Sequence, residues 1–251
     1  MKKIFYLLFL IPFFATAQKD TTAGNRLRDR ATGKNIIKIN LSSFAFSNYS
    51  LMYERSIAKK ISFSVGFRYM PKAALPYESN LQSAAGANAN INFSLFQMGN
   101  TAITPEFRFY SHKNMRGFYI APYGRYASFD LSLPVNYTYN SQSKNAVFSG
   151  TITSMSGGLM FGTQHNLGKN IIIDIWLIGA HAGSANGNLI ATVSPAMSSQ
   201  EQTALQQQLT TMDISPYKMT GTVTSATTAT IDASGPWYGI RGLGINLGIR
   251  F

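Results

Sequence analysis

Between Ile61 and Tyr69 every odd-numbered residue, Ile61, Phe63, Val65, Phe67 and Tyr69, is large and apolar, whereas the even positions hold Ser62, Ser64, Gly66 and Arg68. Strict period-two alternation over about ten residues specifies a β-strand with one apolar and one polar face, because successive side chains point to opposite sides. The pattern alone leaves two architectures open. In a soluble sandwich the apolar face is the core. In a membrane barrel it meets lipid, and the serines, the glycine and the arginine fill the lumen.

The start of the chain bears on this choice. MKKIFYLLFLIPFFATAQ places Lys2 and Lys3 before an apolar run from Ile4 to Phe14, followed by Ala15-Thr16-Ala17. That is the three-part layout of a secretory signal peptide with cleavage before Gln18. The apolar run is well short of the ~20 residues a helix needs to cross a bilayer. Residues 1–17 are therefore read as a signal peptide, residues 18–34 as a flexible periplasmic lead-in without periodicity, and residues 35–251 as one β domain. The formal net charge of +12 falls to +10 once Lys2 and Lys3 are removed. Outside the lead-in, whose Arg26 to Arg30 reads RLRDR, the basic residues are scattered rather than gathered in a stripe, so no nucleic-acid partner is expected for this exported chain. There is no cysteine, which excludes disulfides, thiolate metal sites and a lipoprotein acceptor. Beyond residue 17 no apolar run approaches twenty residues, and the longest, near Ile171 to Ala180, is interrupted by Asp174. A closed barrel is then the spanning architecture that remains, because every backbone amide must be paired without water.

Alternation predicts eight strands: Asn35 to Phe46, Asn48 to Ile57, Ile61 to Pro71, Thr101 to Tyr110, Gly117 to Asp130, one within Val147 to His165, Asn170 to Ala182, and Tyr238 to Phe251. Strands two and three, four and five, and six and seven are joined by short turns. At the other end the connections are long: Lys72 to Asn100, about Leu131 to Ala146, and Gly183 to Trp237. Only the first hairpin, near Ser47, is tight there. Short turns at one end, long loops at the other and an even strand number are the layout of an outer-membrane barrel. The expected fold is all-β: an eight-stranded antiparallel transmembrane up-and-down barrel with a short helix in its last external loop. That helix is signalled by SSQEQTALQQQLTTM, in which Ser198 or Ser199 caps, Glu201 or Gln202 completes a capping box, and Leu205, Leu209 and Met212 share a face.

On the barrel reading the lumen holds Lys38, Glu54, Arg68, Glu106, Arg108, Arg125, Asp174 and Arg250. An eight-stranded barrel is just wide enough for side chains to fill, and isolated charges inside it are costly, so a paired, charged plug is expected. A narrow pore or a ligand-binding lumen is the alternative. The inward glycines Gly66, Gly158, Gly162, Gly242, Gly244 and Gly248 are read as packing space for neighbouring large side chains. A phosphate loop needs a strand before it and a helix after it, and Gly242-Leu243-Gly244 lies inside a strand. His112, His165 and His181 fall at different strand ends, so no catalytic site, metal site or cofactor is expected, and a lipid-modifying enzyme is the remote reading.

Aromatic residues band near the two ends of the strands. Tyr69, Trp237 and Tyr238 lie toward the long-loop end, and Tyr53, Phe107, Phe109, Phe118 and Phe251 toward the turns, as in the girdles that flank a bilayer.

The closing LGINLGIRF resembles the last strand of bacterial outer-membrane proteins, which ends in an aromatic residue read by the barrel-assembly machinery. ITPEFRFYSHKNMRGFYIAPYGRY and the helix beginning SSQEQTALQQQL are similar to a family of uncharacterised Bacteroidetes outer-membrane β-barrels built on a domain of unknown function. In architecture it resembles the small OmpA-, OmpX- and OmpW-like barrels. The resemblance implies the outer membrane of a Gram-negative bacterium, contact with its lipid and lipopolysaccharide, assembly through Phe251, an external ligand or surface met by the long loops, and a monomer. It supplies no catalytic residues, and Glu106 and Arg108 carry over only as interior positions.

Overall fold

The structure is a computed structural model, described over residues 33–74, 95–212 and 216–251. The expected signal peptide and nearly all of the lead-in lie outside the described residues, as does most of the Lys72 to Asn100 connection. The elements are β1 (Asn35–Asn40), a 3-10 helix (Ser42–Phe46), β2 (Tyr49–Ala58), β3 (Ile61–Ala74), β4 (Gln97–His112), β5 (Arg116–Tyr139), β6 (Gln142–Leu167), β7 (Ile171–Thr192), α1 (Ser199–Thr210), β8 (Lys218–Ser225) and β9 (Thr228–Arg250). Among the described residues no helix is long and apolar enough to cross a membrane.

Strands β1 to β7 pair with their sequence neighbours, β7 pairs with β9, and β9 pairs with β1, all antiparallel. Eight strands thus close a ring, which removes every free sheet edge at the level of β1. Closure runs from Ile36 opposite Arg250 to Asn40 opposite Asn246, and Phe251 N–H donates to the Asn35 carbonyl at 2.9 Å. The ninth strand, β8, lies outside the ring and pairs only with the far half of β9.

The largest departures from the expected strand boundaries fall in three places. The first strand ends at Asn40, because Asn40 accepts from the Ser43 N–H through Oδ1 at 2.8 Å and from the Ser43 hydroxyl through its carbonyl at 2.7 Å. Those bonds draw the chain into the 3-10 helix. The stretch from Leu131 to Ala146, expected as a loop, is the continuation of β5 and β6. Leu131, Leu133, Val135 and Tyr137 already alternate there, and Asn140-Ser141, with φ of 49° and 59°, makes the two-residue turn of a tight hairpin. Likewise β7 runs to Thr192 and β9 begins at Thr228, so much of the expected 183–237 loop is strand.

The consequence is a lopsided molecule. β1 and β2 have 6 and 10 residues, whereas β5, β6, β7 and β9 have 24, 26, 22 and 23. A tilted strand crosses a bilayer in about 9–11 residues, so the long strands rise roughly a dozen residues past the ring. This raised sheet has its own core. Leu133, Val135, Phe148, Leu189 and Ile231 face Leu205 and Leu209 of α1, all buried. The helix starts where expected: the Ser198 hydroxyl accepts from Glu201 N–H at 3.2 Å.

Around the ring the outer surface is apolar on every strand, with Ile37, Leu51, Phe67, Ile103, Ile120, Leu159, Leu177 and Leu247 all exposed. Polar and charged residues, Lys38, Glu54, Glu106, Arg108 and Asp174 among them, are buried inside. The polarity of a soluble protein is inverted, and an unbroken apolar belt of this extent marks a surface made for a non-aqueous surround.

Candidate functional site: the barrel interior

The interior divides into a plug near the turns and a recess nearer the long strands. In the plug, Lys38 of β1 points across the lumen. Its Nζ lies 2.5 Å from Glu54 Oε2 and 2.7 Å from Asp174 Oδ2, and it donates to Gln164 Oε1 at 2.5 Å. Arg108 of β4 shares both of these acids and adds a third: its guanidinium is 2.7 Å from Asp174 Oδ2, 3.6 Å from Glu54 Oε2 and 2.9 Å from Glu106 Oε2. The five charged side chains among these are 0% exposed. Hydroxyls complete the acids' shells. Tyr110 and Ser62 donate to Glu54 at 2.6 and 2.5 Å, and Tyr119 donates to Asp174 Oδ1 at 2.8 Å. Arg241 closes the set by binding Glu106 Oε1 at 2.8 Å. Lys38, Arg108 and Arg241 therefore balance Glu54, Glu106 and Asp174. A buried ionic layer is tolerable only when its charges are matched and its remaining lone pairs are satisfied.

Below the plug Met115, 1% exposed, sits in the β4–β5 turn with φ of 51° and packs with Ile36, Tyr110, Tyr119 and Ile172. Its carbonyl accepts from Gln164 Nε2 at 2.8 Å. Arg250 is placed here rather than among the acids: it donates to the Asn114 carbonyl at 2.8 Å and to Asn166 Oδ1 at 3.1 Å. It ties the β4–β5 turn to the closing strand.

Arg68 and Arg125 also stay out of the ion-pair cluster. Arg68 Nε donates to Asn48 Oδ1 at 2.7 Å, and Arg125 donates to Thr104 Oγ1 at 3.1 Å. They line the recess on the long-strand side of the plug, together with Arg241. The expected eight-residue network is thus five residues in the plug, two in the recess and one at the turn end.

Arg241 is the main participant that alternation misses. Counting by twos from Arg250 puts position 241 on the outside. The strand instead bulges at Leu243, which has φ of 48°, and β7 skips a matching residue at Leu177. The outward set changes from odd to even across the bulge, so Ile240 faces out and Arg241 in. Tyr119 and Tyr123, on the same face of β5 as Arg125, point inward as the alternation places them. Tyr119 lies under the Arg108 guanidinium at 4.6 Å, and Arg241 stacks between Tyr123 and Trp176 at 4.7 and 4.6 Å.

Gly162 and Gly244 sit where these large groups pass, whereas Gly242, expected to face inward, is exposed beside the Leu243 bulge with the β7 backbone as its nearest neighbour. A side chain at Gly162 would collide with the Tyr119 ring, and one at Gly244 would meet the Trp176 ring at 2.7 Å. His181 Nδ1 lies 3.0 Å from the Tyr123 hydroxyl, and Ser184 three residues on is exposed on the wall. Among the described residues no group of three His, Asp or Glu side chains could hold a metal.

Of the expected girdle, Tyr53, Tyr69, Phe107, Phe109, Phe118, Tyr238 and Phe251 are exposed on the outer wall. Trp237 is not. The same parity change turns it inward, where it is half-buried against Phe129 with ring centroids 4.8 Å apart. Tyr53 sits higher than a rim residue, opposite Val65, and donates to Asn35 Oδ1 at 2.8 Å.

Above the ring, the raised sheet carries one further polar cluster. Lys144 Nζ and the Tyr137 hydroxyl converge on Glu201 Oε1 of α1 at 2.6 and 3.0 Å. The hydrogen bond from Lys144 holds the Glu201 carboxyl below its usual range, and burial together with Glu201 pushes the Tyr137 phenol up to about 12.

Residues 4–180 match the family described as "Protein of unknown function (DUF3575)". The chain is similar to the crystal structure of Acinetobacter baumannii CarO, at 11% identity and a TM-score of 0.35, over 83% of this chain and 99% of that one. No curated protein matches it.

Proposed function

We propose that this chain, which belongs to the DUF3575 family, is an outer-membrane barrel that does not conduct and that works through its raised sheet and α1, in a structural or surface-interaction role. The observation that carries the reading is the layer of Lys38, Glu54, Glu106, Arg108 and Asp174, matched in charge with Arg241 and wholly inaccessible to water. A solute path through the ring would have to part these pairs, and stranding one member of a buried pair costs roughly 3–5 kcal/mol. The apolar belt around a closed antiparallel ring supports an outer-membrane location in contact with lipid and lipopolysaccharide, with Phe251 of the closing strand offered to the barrel-assembly machinery. The raised sheet has a buried core of its own, which supports a rigid external head offered to a ligand or another surface. The role is non-enzymatic and the barrel monomeric in this reading.

Single-channel recording in planar bilayers tests it. The native protein is expected to give no steady openings. Steady openings that vanish when Arg68 or Glu106 is changed would replace the plug with a narrow solute path. Membrane fractionation and heat-modifiable migration on mild SDS gels test the barrel's location; recovery of folded protein without detergent would exclude a membrane role.

A further inference from the structure

β9 is laddered on both edges near its two ends and on one edge between them. It meets β1 only from Asn246 to Arg250 and β8 only from Thr228 to Ser234. From Gly235 to Gly244 its ladder among the described strands is to β7 alone. The cause lies in the turn at Asn40, which takes the chain into the 3-10 helix before β1 can cover this part of β9. The side wall of the barrel is therefore interrupted beside Ile240, Gly242, Leu243 and Gly244, where the facing residues are Ser42, Ser43 and Phe46.

Behind the interruption lies a recess of about 200 Å³ whose polar lining includes Asn48, Arg68, Thr104, Arg125 and Arg241, with the Trp176 ring beside them. Three guanidiniums converge on it. Among the described residues the acid in contact with them is Glu106, which Arg108 already shares. Arg68 and Arg125 are met by an amide and a hydroxyl, neither of which neutralises them. The buried indole N–H of Trp176 has no acceptor among the described residues. Clustered guanidiniums in a poorly solvated wall repel one another, and an oxyanion relieves this, since their planar forks match its geometry. The volume is below the ~300–1,000 Å³ usual for small-molecule pockets, enough for a headgroup and too little for an acyl chain. The rim is apolar to an unusual degree. Ile240 and Leu243 are 81% and 74% exposed, the highest values among the large apolar residues described, and Phe46 beside them is 53% exposed.

We propose that the recess binds the phosphate headgroup of a lipid that reaches it sideways through the interrupted wall, with its chain lying against Ile240 and Leu243. This rests on the membrane-barrel reading above and gives its lateral face a ligand class.

The test uses the whole protein in uncharged detergent, following tryptophan fluorescence in a Trp237→Phe background, where Trp176 alone reports, and native mass spectrometry during titration with three probes: lysophosphatidic acid, the monoacylglycerol of the same chain length, and inorganic phosphate. Saturable binding of lysophosphatidic acid at least tenfold tighter than either other probe is expected. Arg68→Gln with Arg125→Gln should weaken it tenfold or more, with Arg68→Lys restoring part, and Leu243→Asn should weaken it while leaving phosphate binding unchanged. Gel migration before and after heating reports whether each variant has folded. Equal binding of the monoacylglycerol, or of inorganic phosphate, by the native protein would overturn the proposal, as would a folded double-glutamine variant that binds normally. Failure of the membrane reading has a different signature, recovery of folded protein without detergent.

Discussion

Lys38 holds more of the plug than any other single cation on its side of the lumen, and its removal gives the sharpest test of charge matching. Its ammonium contacts Glu54, Asp174 and Gln164 within 2.7 Å and has no exposure. Lys38→Met keeps the length of the aliphatic stem but leaves Glu54, Glu106 and Asp174 facing only Arg108 and Arg241. One negative charge is then stranded in a dry site. Removing one partner of a buried pair costs about 3–5 kcal/mol, roughly two to four decades in the unfolding constant at ~1.4 kcal/mol per decade. Asp174→Asn in the same chain restores neutrality and keeps one oxygen that can accept from Arg108, while its amide N–H can donate to the Tyr119 hydroxyl. The double variant is expected to recover about 0.5–3 kcal/mol relative to additivity, the range measured for residues sharing one network. Urea unfolding in lipid vesicles gives the free energies, with Trp176 and Trp237, the chain's two tryptophans, as fluorescent reporters. A cost below about 1 kcal/mol for Lys38→Met, or strict additivity of the pair, would refute the matched-charge account of the closed lumen.

The raised sheet should fail separately from the ring. Leu205→Ala removes a side chain that is 0% exposed beneath α1 and is expected to cost about 2–5 kcal/mol, read as faster amide exchange across α1 and the far half of β9 with the plug strands still protected. The docking of α1 should also depend on pH through Glu201. Its carboxyl is held below the ordinary 4.5, so the stabilisation is present above that value and is lost as pH falls through the lower, folded value. Tyr137 acts in the opposite sense: its phenol is raised from 10.0 to about 12, so its contribution is complete below pH 10 and is lost toward pH 12. Helix exchange measured from pH 2 to 12 should show both edges, and Glu201→Gln should abolish the acid edge.

Much of the ring was legible because a barrel strand displays its environment at every second residue. Ile61 to Tyr69 and Leu247 to Phe251 name their outward face directly, and the short turns sort one end from the other. Residues 131–146 were harder. Pro134 and Asn136, both disfavoured in strands, fill even positions of the alternation, and an apolar stretch outside the expected membrane span looks like a loop until α1 is seen to cover it.

Lys38, Glu54, Glu106, Arg108 and Asp174 were legible as inward positions, but their pairing was not, because strand tilt sets which layers meet across the lumen. The division of the arginines was decided by tertiary structure alone. A single residue of positive φ at Leu243 and the skipped position at Leu177 exchange the two faces of β7 and β9. Arg241 and Trp237 turn inward as a result, while Ile240 turns out. Local alternation fixes which residues share a face between irregularities. Which face is inside beyond a bulge depends on the register of two strands far apart in the chain, and only the closed ring determines it.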